Sequence, residues 1–193
     1  MCLIISFHFS IVNADTTVQG LTLTDGEYTD LLSSVPKGSE IVSNDEYDKF
    51  AMRRSPTGLL KNAHIEGYGW QGFSTNSFVG TTGEGLRMEA IRLNFSGLNT
   101  DITYSTHLQR IGWTPNVSNG AVSGTTGQSR RIEAIEISTS GRYLVLYRGH
   151  VQGNGWGPWH TSAGPPNPMQ SFVGTTGQSK RLEALELIIL KRG

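Results

Sequence analysis

The sequence is nearly without cysteine, and it is short of charge and of apolar residues. Cys2 is the single cysteine in 193 residues, which excludes an intramolecular disulfide and a cysteine-built zinc site. Charged residues make up 17% and hydrophobic residues 36% of the chain. The surface must therefore be built largely from Ser, Thr, Asn and Gly, the residues of turns between short strands. No apolar run nears the roughly 20 residues that a membrane-crossing helix needs. Sixteen bases balance sixteen acids and no more than two bases are adjacent, so a nucleic-acid footprint is missing. Absent too are Gly-x-Ser-x-Gly, His-Glu-x-x-His and a cysteine with a positioned base. The chain is expected not to be an enzyme and to need no cofactor.

What is abundant is glycine, with 24 residues, and it follows no three-residue period that would suggest collagen. The chain instead repeats itself on a longer scale. AHIEGYGW (63–70), THLQRIGW (106–113) and GHVQGNGW (149–156) share His-x4-Gly-Trp, with His64, His107 and His150 at even spacing. GTTGEGLRMEAI (80–91), GTTGQSRRIEAI (124–135) and GTTGQSKRLEAL (174–185) form a second recurring block. The third unit is longer, through the Pro-rich stretch GPWHTSAGPPNPMQ between Trp156 and Gly174. An insertion that leaves both motifs intact marks a surface loop.

The blocks read as strands. RIEAIEI (131–137) alternates, with Glu133, Ile135 and Ile137 on one face and Ile132, Ala134 and Glu136 on the other. EAIEIS, TSGR and YLVLYRGHV then read as a hairpin, and Ser118-Asn119-Gly120 as the turn of a smaller one. Units of this size cannot each bury a face alone, so three are expected to close about a pseudo-threefold axis. The expected fold is all-β and β-trefoil-like, with a β-prism of three sheets as the alternative. Repeats span about 60–97, 102–140 and 143–190 within a domain covering 60–193.

Two segments precede that body. Residues 1–14 contain a short apolar stretch (LIISFHFSIV) and a small-residue site before Asp15. They fit a signal peptide, although a basic start is missing and His8 interrupts the run, or an N-terminal strand. Residues 15–59 read as an acidic extension or linker. Eight acids and four bases lie in residues 1–60, against eight and twelve in 61–193. TDLLSSV (29–35) and NDEYDKFAM (44–52) are expected to form short helices capped by Asp or Asn.

Candidate ligand contacts come from the repeated motifs. Trp70, Trp113 and Trp156 suit stacking against the apolar face of a sugar ring. As large aromatics they equally suit the core beneath each hairpin. His64, His107 and His150 share a strand face with Glu66, Gln109 and Gln152 two residues on, which suits polar ligand contacts or a strand-to-loop hydrogen bond. Histidines related by such an axis lie too far apart for one ion, so no metal site is expected. Glu89, Glu133 and Glu183 lie in line with aliphatics and need partners. Arg87, Arg131 and Arg181 two residues earlier, with the GTTG amides, are expected to supply them. GTTG lacks the Lys-Ser/Thr of a phosphate loop and reads as a turn. Trp159 and His160 lie on the inserted loop, where an exposed aromatic would make the third unit the strongest binder.

His-x4-Gly-Trp followed by GTTGxxxRxEAI resembles the ChW repeat, clostridial hydrophobic with a central Trp, over roughly two thirds of the chain. That family is known from secreted and cell-surface proteins of Gram-positive bacteria and from their phage lysins. The resemblance implies a non-catalytic module at an extracellular or cell-surface location, binding a cell-wall polysaccharide or other glycan. A second reading is a structural or virion-associated protein whose repeats dock to a protein partner, with residues 1–59 as an assembly arm.

Overall fold

The computed structural model describes residues 16–51, 58–162 and 171–193. The apolar stretch 1–14 and most of the Pro-rich insertion lie outside the described residues. The N-terminal segment forms β1 (Thr16–Val18), β2 (Leu21–Leu23), α1 (Asp25–Ser34), β3 (Ser39–Ile41) and α2 (Asn44–Ala51). The first repeat forms β4 (Gly58–Ile65), β5 (Gly69–Trp70), β6 (Phe78–Gly80) and β7 (Met88–Ser96). The second forms β8 (Thr100–Leu108), β9 (Gly112–Trp113), β10 (Val117–Ser118), β11 (Ser123–Gly124) and β12 (Ile132–Gly141). The third forms β13 (Tyr143–Val151), β14 (Gly155–Trp156), β15 (His160–Thr161), β16 (Val173–Gly174) and β17 (Leu182–Arg192).

In each repeat the two long strands pair with one another: β4 with β7, β8 with β12 and β13 with β17. This corrects the hairpin expected across TSGR. β12 takes β8 and β16 as partners, not the β13 that follows it. At that junction the Ile137 amide donates to the Tyr147 hydroxyl, 3.1 Å away. The Leu93 amide donates likewise to Tyr104, 3.0 Å away. A phenol thus stands where a neighbouring backbone would be, and the described long strands divide into three sheets. The turn expected at Ser118-Asn119-Gly120 is present, with Asn119 and Gly120 both at positive φ, but it closes no hairpin: β10 pairs with β8, and β11 pairs with β7 of the first repeat.

The short GTTG strands link the units in a ring. β11 of the second repeat pairs with β7 of the first, β16 of the third with β12 of the second, and β6 of the first with β17 of the third. Thr125, Thr175 and Thr81 donate backbone N–H bonds of 2.9–3.0 Å to the carbonyls of Glu89, Glu133 and Glu183. The preceding Gly124, Gly174 and Gly80 sit at φ 113°, 102° and 107°. A Cβ at any of them would collide with that same carbonyl, so only glycine permits the approach. Each GTTG turn therefore docks on the Glu of a neighbouring unit, not on its own.

A shared bulge sets the faces. His64 pairs with Ala90 while Ile65 pairs with Met88, and the same step occurs at His107/Leu108 and His150/Val151. Glu89, Glu133 and Glu183 are the extra residues, and an extra residue turns the side chains after it to the opposite face. Ile132, Ile135 and Ile137 consequently all enter the main core, and Glu133 does not share their face as strict alternation implied. That core joins residues of all three repeats, among them Leu59, Ile91, Ile102, Ile135, Val145 and Leu187.

The acidic segment is packed onto the body. Thr24 caps α1 through a reciprocal box with Glu27, and Ser43 accepts from the Glu46 amide at the start of α2, in place of the Asp or Asn caps expected. Val18, Leu21, Leu23 and Leu31 form a second cluster with Leu144, Leu146, Ile188 and Leu190, and β3 extends the sheet along β17. The Gln19 side chain, 1% exposed, bonds both the N–H and the C=O of Ile189 at 2.8 Å. β13 and β17 are buried on both faces for this reason, which their continuous apolar runs reflect.

Candidate functional site

The bulged glutamates organise one arrangement three times on the outer face. The guanidiniums of Arg87, Arg131 and Arg181 pair with Glu89, Glu133 and Glu183 at 2.9, 2.7 and 2.7 Å. The second oxygen of each carboxylate faces the Nδ1 of His64, His107 and His150 at 3.1, 3.2 and 3.0 Å. Each imidazole in turn meets Trp70, Trp113 and Trp156 edge-on, with centroids 5.5, 5.5 and 5.2 Å apart. The carboxylates are nearly covered, at 6–7% side-chain exposure, while the histidines and arginines keep 18–23%. A buried carboxylate thus fixes the orientation of two cations or donors whose outer edges reach solvent.

Pairing follows from the fold. The Arg precedes the bulge, so Arg and Glu lean together, and the His lies on the paired strand beside the bulge. The partnership of Arg with Glu was legible in the sequence; that of Glu with His was not, because it crosses strands at a bulge. Replacing Glu133 by Ala is expected to lower stability by about 2 kcal/mol. Arg131 and His107 lose their partner but retain water, which keeps the effect below that of a fully buried pair. The thermal midpoint should fall by about 4–8 °C; a change under about 2 °C would show that the carboxylate holds nothing.

Trp70, Trp113 and Trp156 belong to neither apolar cluster, so the reading of them as core fillers is corrected. They lie half-buried on the outer face. Arg92 covers Trp70 at 4.5 Å, Phe172 meets Trp113 at 5.6 Å, and Arg148 covers Trp156 at 5.1 Å. Gln109 and Gln152, with Glu66, follow the histidines at the strand ends and are half-buried.

The exposed aromatic expected on the inserted loop is also corrected. Trp159 is 9% exposed and belongs to the second apolar cluster, with the Arg148 guanidinium 4.7 Å from its ring centroid. The N-terminal segment supplies the surface that covers it. His160 pairs in register with Tyr147, and burial pushes its imidazole below the usual range. Arg148 was not foreseen. It lies between Trp156 and Trp159 and pairs with Glu186 and Glu27, while burial raises the Glu186 carboxyl despite that cation.

Around His107 and Arg131 the surface opens into a cleft of about 460 Å³, closed on one side by Gly177 and Ser179 of the third repeat. Among the described residues no group of three or more His, Cys, Asp or Glu is placed to hold a metal. No described helix is long and apolar enough to cross a membrane. A family model described as Clostridial hydrophobic W matches residues 64–97, 107–141 and 150–191. No curated protein and no solved structure matches the chain.

Proposed function

Because the chain belongs to the Clostridial hydrophobic W family, we propose that it is a non-catalytic extracellular module that holds a bacterial surface glycan. The contacts are made by its three Arg–Glu–His–Trp arrays. The observation that carries this reading is the recurrence of one polar-aromatic geometry at three places on one body, each reaching solvent. Repetition suits a polymer, whose own repeats can occupy several sites and gain avidity. An aromatic beside a His and an Arg offers a stacking face and hydrogen-bond donors for sugar hydroxyls.

The ring of inter-unit pairings supports a closed pseudo-threefold body. Three separate sheets favour the prism over a trefoil, whose barrel requires ladders between neighbouring long hairpins; the Tyr104 and Tyr147 hydroxyls occupy two of those junctions. The described part of residues 15–59 lays its apolar side chains on the third sheet, which leaves little of it to serve as an assembly arm.

The test is co-sedimentation of the full chain with purified Gram-positive cell walls. Wild-type protein should bind, and Trp113→Ala should weaken binding about tenfold, near 1.4 kcal/mol, with its circular dichroism spectrum preserved. Failure of the wild-type chain to sediment with walls overturns the proposal.

A further inference from the structure

The three arrays differ in charge, and the difference follows one residue position. In the first repeat Arg87 is held by two carboxylates, Glu89 and Glu66. Gln109 and Gln152 stand where Glu66 stands, so Arg131 and Arg181 each pair with one carboxylate alone. Leu86 of the first repeat corresponds to Arg130 and Lys180 in the others, and Glu84 to Gln128 and Gln178. The first array is therefore acidic and internally neutralised. The second gathers Arg110, Arg130 and Arg131 against Glu133 alone.

Arg110 adds an observation of a different kind. It is exposed and lines the cleft with Arg131, His107 and Gln109. Its backbone lies at φ 63°, in the left-handed region that disfavours a residue with a Cβ. The corresponding positions of the other repeats are Gly67 and Gly153, at φ 77° and 74°. Ser179, on the opposite wall, is also left-handed at φ 56°, where the first repeat has Gly85 at φ 70°. Ser129, its counterpart in the second repeat, is left-handed as well at φ 51°, so the strain particular to this cleft is that of Arg110, a side chain kept where the sister repeats have glycine, as strained residues are at ligand clamps.

We infer that the cleft between the second and third repeats is an oxyanion subsite, in which Arg110 and Arg131 grip the phosphate or carboxylate groups of an acidic glycan chain. The inference rests on the glycan-binding reading and names its ligand class. A guanidinium with free N–H groups takes an oxyanion by paired, charge-assisted bonds. His107 and Gln109 lie beside it for the adjoining hydroxyls. The first array, with Glu66 on Arg87, repels the same group.

Arg110→Gly tests this without threatening the fold, since it installs the residue of the sister repeats and relieves strain. Wild type and variant are titrated with a poly(glycerol phosphate) chain, with polygalacturonate and with neutral dextran. Wild type should bind at least one acidic polymer, and the variant should bind it about tenfold more weakly. Wild-type binding should also decline as added salt screens the charges. Whichever acidic polymer shows the loss identifies phosphate or carboxylate as the oxyanion. Equal binding of both proteins to the acidic polymers, or preference of the wild type for dextran, overturns the subsite while leaving wall binding intact. Failure of the wild type on whole walls is the separate result that removes the broader reading.

Discussion

Replacing Lys61 by Met is expected to stabilise the fold by about 3 kcal/mol at pH 6 and to flatten its pH dependence between pH 7 and 9. Lys61 occupies the position held by Tyr104 and Tyr147 in the other repeats, but its bonds stay within the first repeat, and Ser77 takes the Leu187 amide of the third. Lys61 is 1% exposed, its ammonium bonding the carbonyls of Leu59 and Thr75 at 2.8 and 3.2 Å. Desolvation, with no charged neighbour to offset it, lowers its pKa to about 7 from an ordinary 10.5. Below pH 7 both folded and unfolded chains carry the proton, and the folded state bears the full cost of a buried charge. Between 7 and 10.5 only the unfolded chain holds the proton, so stability rises with pH by up to about 1.4 kcal/mol per unit. Methionine keeps the volume and removes the titration, at the expense of a hydrogen bond to each of the two carbonyls, which limits the gain. Tyr47 bonds the same Thr75 carbonyl, but burial raises its phenol above the ordinary 10.0, so it does not titrate in this window. Urea unfolding of both proteins from pH 6 to 9 decides the matter. A wild-type stability that is level across that range would mean that the amine stays hydrated.

Repeat number, all-β class and the pairing of Arg with Glu were legible because each depends on short-range spacing. The partners of the GTTG turns were not, since Gly124 docks on Glu89 of the preceding unit and Gly80 on Glu183 of the last. Sequence proximity pointed to the wrong neighbour. The bulge at Glu133 was hidden for a related reason: RIEAIEI alternates well enough to look regular, and only pairing with His107 exposes the extra residue. Arg110 had a signal, as the one member of its repeat position that is not glycine, but charge alone does not mark backbone strain. The acidic composition of residues 15–59 suggested a linker. The decisive residues there are the few apolar ones, Leu21, Leu23 and Leu31, together with the buried amide of Gln19.

The docking of that segment leads to the last expected result, that Trp159→Ala lowers stability by about 3–5 kcal/mol. Trp159 fills the space between α1 and the outer face of the third sheet, sharing its cluster with Leu31, Leu144 and Leu146. Its ring also covers the Arg148 guanidinium, which is 6% exposed and paired with Glu186 and Glu27. Truncation leaves a cavity bordered by a buried cation, so lost apolar burial and lost cation–π attraction act in the same direction. Glu27 belongs to the capping box of α1, which carries the damage into the helix. The thermal midpoint should fall by roughly 10 °C or more, and amide exchange should accelerate first in residues 25–34. The His107–Trp113 array lies on another sheet, so binding to cell walls measured well below the lowered midpoint should be retained. A midpoint within about 2 °C of wild type would mean that Trp159 is not held beneath α1, and weakened wall binding at unchanged stability would return it to the ligand surface.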